Sequence, residues 1–365
     1  MSSLLGAKRP EFERQNRADQ ETTREKYASR AVKPLLPYEK ARANRLRIDW
    51  DEHEISSPWF VGRRYLDDVP LADIAKFIDW TFFFSAWELK GRYPGILSHP
   101  EYGAAARELF EHAQALLNRI IDEKLLTARG VYGFWPANSE GDDVVVYKDD
   151  SRRVELARFP MLRQQEIIAD QKPNRSLADF IAPRESGVPD YLGLFAVTAG
   201  LGADDLVRRF ERDLDDYHAI MVKAIADRLA EAFAEYLHAQ ARKDWGYGER
   251  EQLSSEELIA EKYRGIRPAY GYPACPDHSE KFKVFELLDA SRQGITLTES
   301  GAMLPAASVS GLYFSHPQAK YFNVGRIDRD QLESYAKRKG VPVEDVERWL
   351  ASNLSYDPAA LATRC

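Results

Sequence analysis

The chain reads as an α+β protein, a largely antiparallel twisted sheet with a long central helix and flanking helices. Two observations predict this. Between residues 203 and 242, Leu206, Phe210, Leu214, Tyr217, Met221, Ile225, Leu229, Phe233 and Leu237 recur at a three- or four-residue step, the period of one helix face. Two other stretches, V-Y-G-F-W-P-A-N-S-E-G-D-D-V-V-V-Y at 131–147 and S-V-S-G-L-Y-F-S-H-P-Q-A-K-Y-F-N-V-G at 308–325, have β-rich arms on either side of turn residues and read as hairpins.

In chain order, residues 1–37 are dense in charge and end at P-L-L-P, which suggests an exposed helical or flexible linker before a folded unit spanning 38–365. Residues 71–89 place Leu71, Ile74, Phe77 and Ile78 at helical spacing before an aromatic run and belong to the core. Asp79 is embedded in that run, where a carboxylate needs a partner; position alone reads it as a helix cap or a structural ion pair. An amphipathic helix is expected over 102–124, with Leu109, Leu116, Leu117 and Ile120 on one face. In the first hairpin Asn138 to Asp142 form the tip, residues 153–159 continue the sheet, and 188–200 is a buried strand. The long stripe of 203–242 favours one packed helix, straight or kinked, in which Glu231 reads by itself as a solvated carboxylate. In the second hairpin, turning at H-P-Q-A-K, Tyr321 and Phe322 fall in the returning strand, one facing each way. Short helices over 328–338 and 342–351 close the chain.

The 365 residues are 44% hydrophobic and 30% charged, a balance typical of soluble globular proteins. No run approaches the roughly 18 apolar residues of a membrane span, and the first residues lack a signal-peptide pattern, so a cytoplasmic protein without a membrane role is expected. Two cysteines, Cys275 and Cys365, suit a reducing compartment, and neither C-x-x-C nor zinc-type His/Cys spacing is present, so no metal site is expected. A net charge of −7 argues against nucleic acid as a partner. No P-loop, nucleophile elbow or strand-linked G-x-G-x-x-G occurs. His278 and His316 read as turn residues, since neither has a carboxylate, Ser or Cys partner in a catalytic pattern.

The most distinctive stretch is 258–281, L-I-A-E-K-Y-R-G-I-R-P-A-Y-G-Y-P-A-C-P-D-H-S-E-K. Its prolines and glycines exclude helix interior and central strand and predict an ordered loop. Pro268 restricts Arg267 to extended geometry, and Gly271 allows a turn or a close approach to a ligand. A fixed guanidinium suits a carboxylate or phosphate, and Tyr270 and Tyr272 offer flat faces for a heterocycle. Two readings follow from composition: a pocket for a small anionic, partly aromatic ligand, or an arginine paired with a structural carboxylate. The first implies that folding barely depends on Arg267. Glu261 reads as a carboxylate near that ligand or as a surface partner of Lys262 or Arg264.

R-P-A-Y-G-Y-P-A-C-P-D-H resembles the R-x-x-x-G-Y signature and flanking P-A-C-P of the C-terminal activation domain of cobalamin-dependent methionine synthase. F-I-D-W-T at 77–81, D-D-Y-H-A-I-M-V-K-A at 215–224, L-T-E-S at 297–300 and A-S-V-S-G-L-Y-F-S-H-P at 307–317 resemble it in the same order, so that the likeness covers residues 38–357. The resemblance implies that domain's mixed fold and an S-adenosylmethionine site. It assigns Arg267 to the methionyl carboxylate, Asp79 to a donor group of the ligand, and Glu231, Glu261, Ala269, Gly271 and Tyr272 to the pocket. Tyr321 and Phe322 match a nucleoside-side pair that is usually two tyrosines, so the second hydroxyl is absent here.

The activity implied is reductive reactivation, in which methyl transfer from S-adenosylmethionine and an electron from flavodoxin or an equivalent reductase restore cobalamin held by a partner module. No catalytic side chain is implied. The cobalamin module's own D-x-H-x-x-G is missing; D-E-H-E-I-S at 51–56 ends in Ser56 and is read as coincidence. On this likeness residues 1–37 match the inter-module linker, and the chain is the activation module as a split subunit or an excised piece. The alternatives are a self-sufficient methyltransferase of a small substrate and a non-catalytic docking module.

Overall fold

The structure is a computed structural model describing residues 9–28, 34–50, 55–168, 172–249, 251–254, 257–258 and 260–358. Residues 51–54 of the D-E-H-E-I-S string and Cys365 lie outside the described residues. The elements in order are α1 (Arg9–Ala28), α2 (Tyr38–Ala43), β1 (Gly62–Leu66), α3 (Leu71–Ile74), α4 (Gly103–Asp122), β2 (Thr127–Glu140), β3 (Asp143–Tyr147), β4 (Glu155–Pro160), β5 (Asp190–Leu201), α5 (Ala203–Arg212), α6 (Asp216–Asp244), α7 (Lys281–Leu288), β6 (Thr296–Leu297), β7 (Met303–Leu304), β8 (Ser308–Tyr313), α8 (Arg329–Lys339) and α9 (Val343–Trp349). The fold is α+β, as expected.

The main sheet has the order β4-β3-β2-β5-β8, with β1 also paired to β2, and every pairing is antiparallel. β2 and β5 are buried along nearly their whole length, because both faces of the sheet are covered. One face carries α4, α6 and the aromatic run of 77–87 through Ile78, Phe83, Leu117, Leu229, Phe233 and their neighbours. The opposite face carries the 266–275 loop and α7 through Ile266, Tyr270, Ala274, Val284 and Leu288. A third cluster packs α8 and α9 onto Leu162, Val324 and Ile327.

Three expectations about these elements are corrected. The stripe of 203–242 is two helices rather than one: Leu214 adopts φ +57° and is 89% exposed, and the Asp215 carboxylate accepts the His218 N–H to begin α6 anew. The apolar step continues through the break, so periodicity alone conceals it. In the first hairpin the strand runs on through Asn138 and Ser139 to Glu140, and the turn is only Gly141 and Asp142. The third concerns 308–325. Only Ser308–Tyr313 is strand, and its partner beyond β5 is not residues 321–325 but the signature loop, in which Ile266 and Phe314 exchange backbone hydrogen bonds of 3.0 Å and Leu312 donates to the Pro268 carbonyl at 2.9 Å.

Asp190, at the start of β5, gives a pH signature. Its carboxylate is buried and accepts N–H groups from Ala182 (2.9 Å) and Tyr191 (2.7 Å). Burial outweighs these hydrogen bonds and the more distant Arg152 and Arg264, and pushes its pKa up to about 7. An unfolded aspartate titrates near pH 4, so between about pH 4 and 7 the folded state holds the extra proton and stability falls as pH rises. The loss is expected to be on the order of 3–4 kcal/mol at roughly 1.4 kcal/mol per unit. Denaturation of the wild type and Asp190→Asn from pH 5 to 8 checks it, since the variant should decline less steeply.

Candidate functional site

Where the edge of β8 meets the signature loop, the structure forms a cavity of about 500 Å³. Its wall includes Phe195 of β5, Val309 of β8, Glu231 of α6, and Glu261, Arg267, Ala269, Tyr272, Tyr321 and Phe322. Seven of the nine residues singled out from the sequence are therefore brought together. Asp79 and Gly271 stand off the wall.

The loop is held by its backbone. Pro268 is clamped to β8 by the Leu312 hydrogen bond, which needs the close approach that Gly311 permits; a Cβ there would lie 2.5 Å from the Pro268 oxygen. Gly271 donates to the Cys275 carbonyl at 2.8 Å and Tyr272 to that of Ala269 at 3.1 Å, closing a tight turn. Gly271 adopts φ +95°, and a Cβ would sit 2.0 Å from the His278 ring. Its role is thus to let this turn pack on His278. Val324 donates to Pro273 at 2.9 Å, which brings Tyr321 and Phe322 across the cavity.

Arg267 is pinned at both ends. Its backbone N–H donates to the Tyr321 hydroxyl at 3.1 Å, and Nη1 donates to Glu235 Oε2 at 2.6 Å and to the Tyr263 hydroxyl at 3.2 Å. Both readings of this arginine therefore meet in one side chain: it has a structural carboxylate, and it lines a cavity. Burial opposes its charge, but Glu235 and the Tyr263 and Tyr321 hydroxyls hold the guanidinium protonated more firmly than usual. Nη1 carries the protein contacts, which leaves the N–H groups of Nε and Nη2 for a ligand.

Around it the cavity is acidic and aromatic. Burial raises the pKa of Glu231, partly offset by Arg228 and Arg267, and burial likewise raises that of Glu261, offset by Arg267. Glu231 is a pocket wall residue rather than a solvated one, whereas the surface partner of Lys262 is Glu257. Tyr272, 60% exposed, borders the mouth, and Phe322 packs against Phe180 at 6.4 Å. Tyr270 is corrected: it is buried beside Phe159 and offers no face to the cavity. His278 opens a short 3-10 helix, His278–Glu280, rather than a turn, and His316 stands at the head of a turn in which its carbonyl accepts the Ala319 N–H at 2.9 Å.

The carboxylate of Asp79 accepts the Thr81 N–H at 2.9 Å. Its segment lies along α6, where Phe77 meets Tyr236 edge-on at 5.6 Å and the Arg228 guanidinium covers Phe82 at 5.6 Å. Asp79 thus lies outside the cavity wall, on a segment packed along α6. Asp79→Asn keeps an acceptor for Thr81 and removes the charge. If that charge takes a ligand donor, affinity for the ligand that the sequence resemblance implies should fall by roughly tenfold with an unchanged melting temperature, measured by calorimetry.

Glu235, Tyr263 and the buried groups behind them were missed from the sequence. The available signal was spacing, because Glu235 lies one turn after Glu231 on the same face of α6. Among the described residues no group of three or more His, Cys, Asp or Glu could hold a metal, and no helix is long and apolar enough to cross a membrane.

Fold and cavity together define an α+β protein with an acidic, aromatic cavity lined by one arginine. Residues 70–340 match the family of the vitamin B12-dependent methionine synthase activation domain. A crystal structure of the MetH reactivation domain bound to AdoHcy is similar over 89% of this chain and 100% of that one, with 50% identity and a TM-score of 0.86. The chain belongs to the vitamin B12-dependent methionine synthase activation-domain family.

Proposed function

We propose that the chain binds S-adenosylmethionine in this cavity and presents its methyl group for reductive methylation of cob(II)alamin on a partner cobalamin-binding module, with flavodoxin or an equivalent reductase as electron donor. The observation that supports this most is the pinned Arg267 in an acidic, aromatic cavity. The residues fit the ligand in size and charge. About 500 Å³ lies within the usual range of small-molecule sites. Arg267 suits the carboxylate, Glu231 and Glu261 suit the positive groups, and Tyr321 and Phe322 give a flat apolar wall for the nucleoside.

When bound, S-adenosylmethionine supplies an electrophilic methyl group. The chain's own task is positional: Arg267 fixes one end of the ligand, Tyr272 borders the open side, and burial strengthens each charge contact. No protein nucleophile or base is required of the cavity.

The isolated chain is therefore expected to bind S-adenosylmethionine and to methylate no acceptor unaided. Titration calorimetry, followed by methylation assays with and without a cobalamin-loaded partner module and reductant, tests this. Turnover without cobalamin would favour a self-sufficient methyltransferase, and absence of binding would favour a docking module.

A further inference from the structure

Behind Arg267 lies a group of buried polar side chains that the proposed contacts do not use. Glu231, Glu235, His238 and Arg242 follow one another at steps of four, three and four residues and so form a single stripe of α6. The first faces the cavity and the other three are buried. His238, 1% exposed, stacks on Tyr313 with ring centroids 5.0 Å apart and meets Tyr263 edge-on at 4.7 Å. The Arg242 guanidinium covers the Tyr263 ring at 4.4 Å while its Nε donates to Glu251 at 2.7 Å. Tyr313 in turn stacks at 4.6 Å on Phe195, which belongs to the cavity wall. The group is one aromatic layer behind the ligand site.

Five of its polar atoms are unmatched. Glu235 Oε1, both ring nitrogens of His238, Arg242 Nη1 and the Tyr313 hydroxyl have no partner in the protein. A buried polar atom left so is destabilising, and native proteins commonly answer such atoms with internal water. Here the charges also bear on one another, since Arg242 and Arg267 both act on His238 and on Tyr313.

We propose that Glu235, His238, Arg242 and Tyr313 form an internal hydration site that holds the second oxygen of Glu235, and that His238 is thereby a positioning residue for the Arg267 clamp. Glu235 has one oxygen on Arg267 and the other without a protein partner, so water held by this site would set the carboxylate's rotation and with it the direction of the guanidinium. The link to ligand affinity rests on the reading of the cavity as an S-adenosylmethionine site; the hydration site itself does not.

Three variants of the full chain test it by calorimetry with S-adenosylmethionine and by thermal melting. His238→Phe keeps the ring and removes both nitrogens, and is expected to weaken binding about tenfold, the effect of one misdirected charge-assisted contact. His238→Gln, which keeps polar atoms, is expected to recover at least part of that loss. If His238→Phe fails to fold, Tyr313→Phe, which deletes only a hydroxyl, is expected to weaken binding about threefold. Wild-type affinity in the foldable variants, or equal losses in His238→Phe and His238→Gln, would overturn the positioning role. A high-resolution crystal structure of the ligand-free chain should show ordered water bonded to Glu235 Oε1 and a His238 nitrogen, and a dry site there would overturn the proposal even if the wild type binds. Failure of the wild type to bind while the water is present would instead count against the cavity's proposed ligand.

Discussion

Arg267→Ala is expected to weaken S-adenosylmethionine binding by on the order of 2–4 kcal/mol, roughly 30- to 700-fold in Kd, with Arg267→Lys recovering only part. A lysine is a point charge and cannot serve Glu235, Tyr263 and a ligand carboxylate from one planar fork. The ion pair changes what is expected of folding. Arg267 and Glu235 are 18% and 9% exposed in their side chains, so removing the arginine strands a buried carboxylate and lowers the melting temperature as well. The expectation that folding barely depends on Arg267 is thus revised. The double variant Arg267→Met, Glu235→Gln separates the two effects, because replacing both charged partners at similar volume is often neutral for stability. It should melt close to the wild type and still lose the ligand. Near wild-type affinity in the double variant would mean that Arg267 only braces the loop.

The second large effect is at Glu235. Glu235→Ala leaves the Arg267 guanidinium without its carboxylate among Tyr263, Tyr321 and Pro268, and is expected to destabilise the fold by about 3 kcal/mol, the lower part of the range for a broken buried pair. Chemical denaturation gives the number directly. Saturating S-adenosylmethionine should restore part of the stability, because binding to the native state adds stability by mass action and a ligand carboxylate would answer the orphaned cation. A loss below about 0.5 kcal/mol, the level of an exposed pair, would show that the ion pair is solvated.

The signature loop was legible because its sequence constrains the backbone locally. Pro268 and Gly271 announce an ordered turn, and the structure gives that turn its hydrogen bonds and its packing on His278. The stripe from Met221 to Leu237 was legible as a helix face for the same reason, since its period survives any tertiary context. What could not be read were partners distant in sequence. Arg267 pairs with a carboxylate 32 residues earlier, and an acid on a helix looks solvated until its neighbour is known. The 308–325 segment carries two β-rich arms about a proline turn, which is the pattern of a hairpin, yet β8 is closed by Ile266–Pro268 and Tyr321 is freed to cross the cavity. The break at Leu214 was hidden by an apolar residue falling on the helical step while pointing to solvent. Asp79, Gly271 and Ala269 were named through family likeness. Of these the structure places Ala269 in the wall, gives Gly271 a packing role, and leaves Asp79 outside the wall with a local bond from the Thr81 N–H.

The most direct test of the central claim is a crystal structure of the chain with S-adenosylmethionine or its demethylated product. Ligand density is expected in the cavity between β8 and the signature loop, with the amino-acid carboxylate on Nε or Nη2 of Arg267, the nucleoside along Tyr321 and Phe322, and the Arg267–Glu235 pair intact. Density elsewhere on the chain, or a carboxylate bound without Arg267, would contradict it.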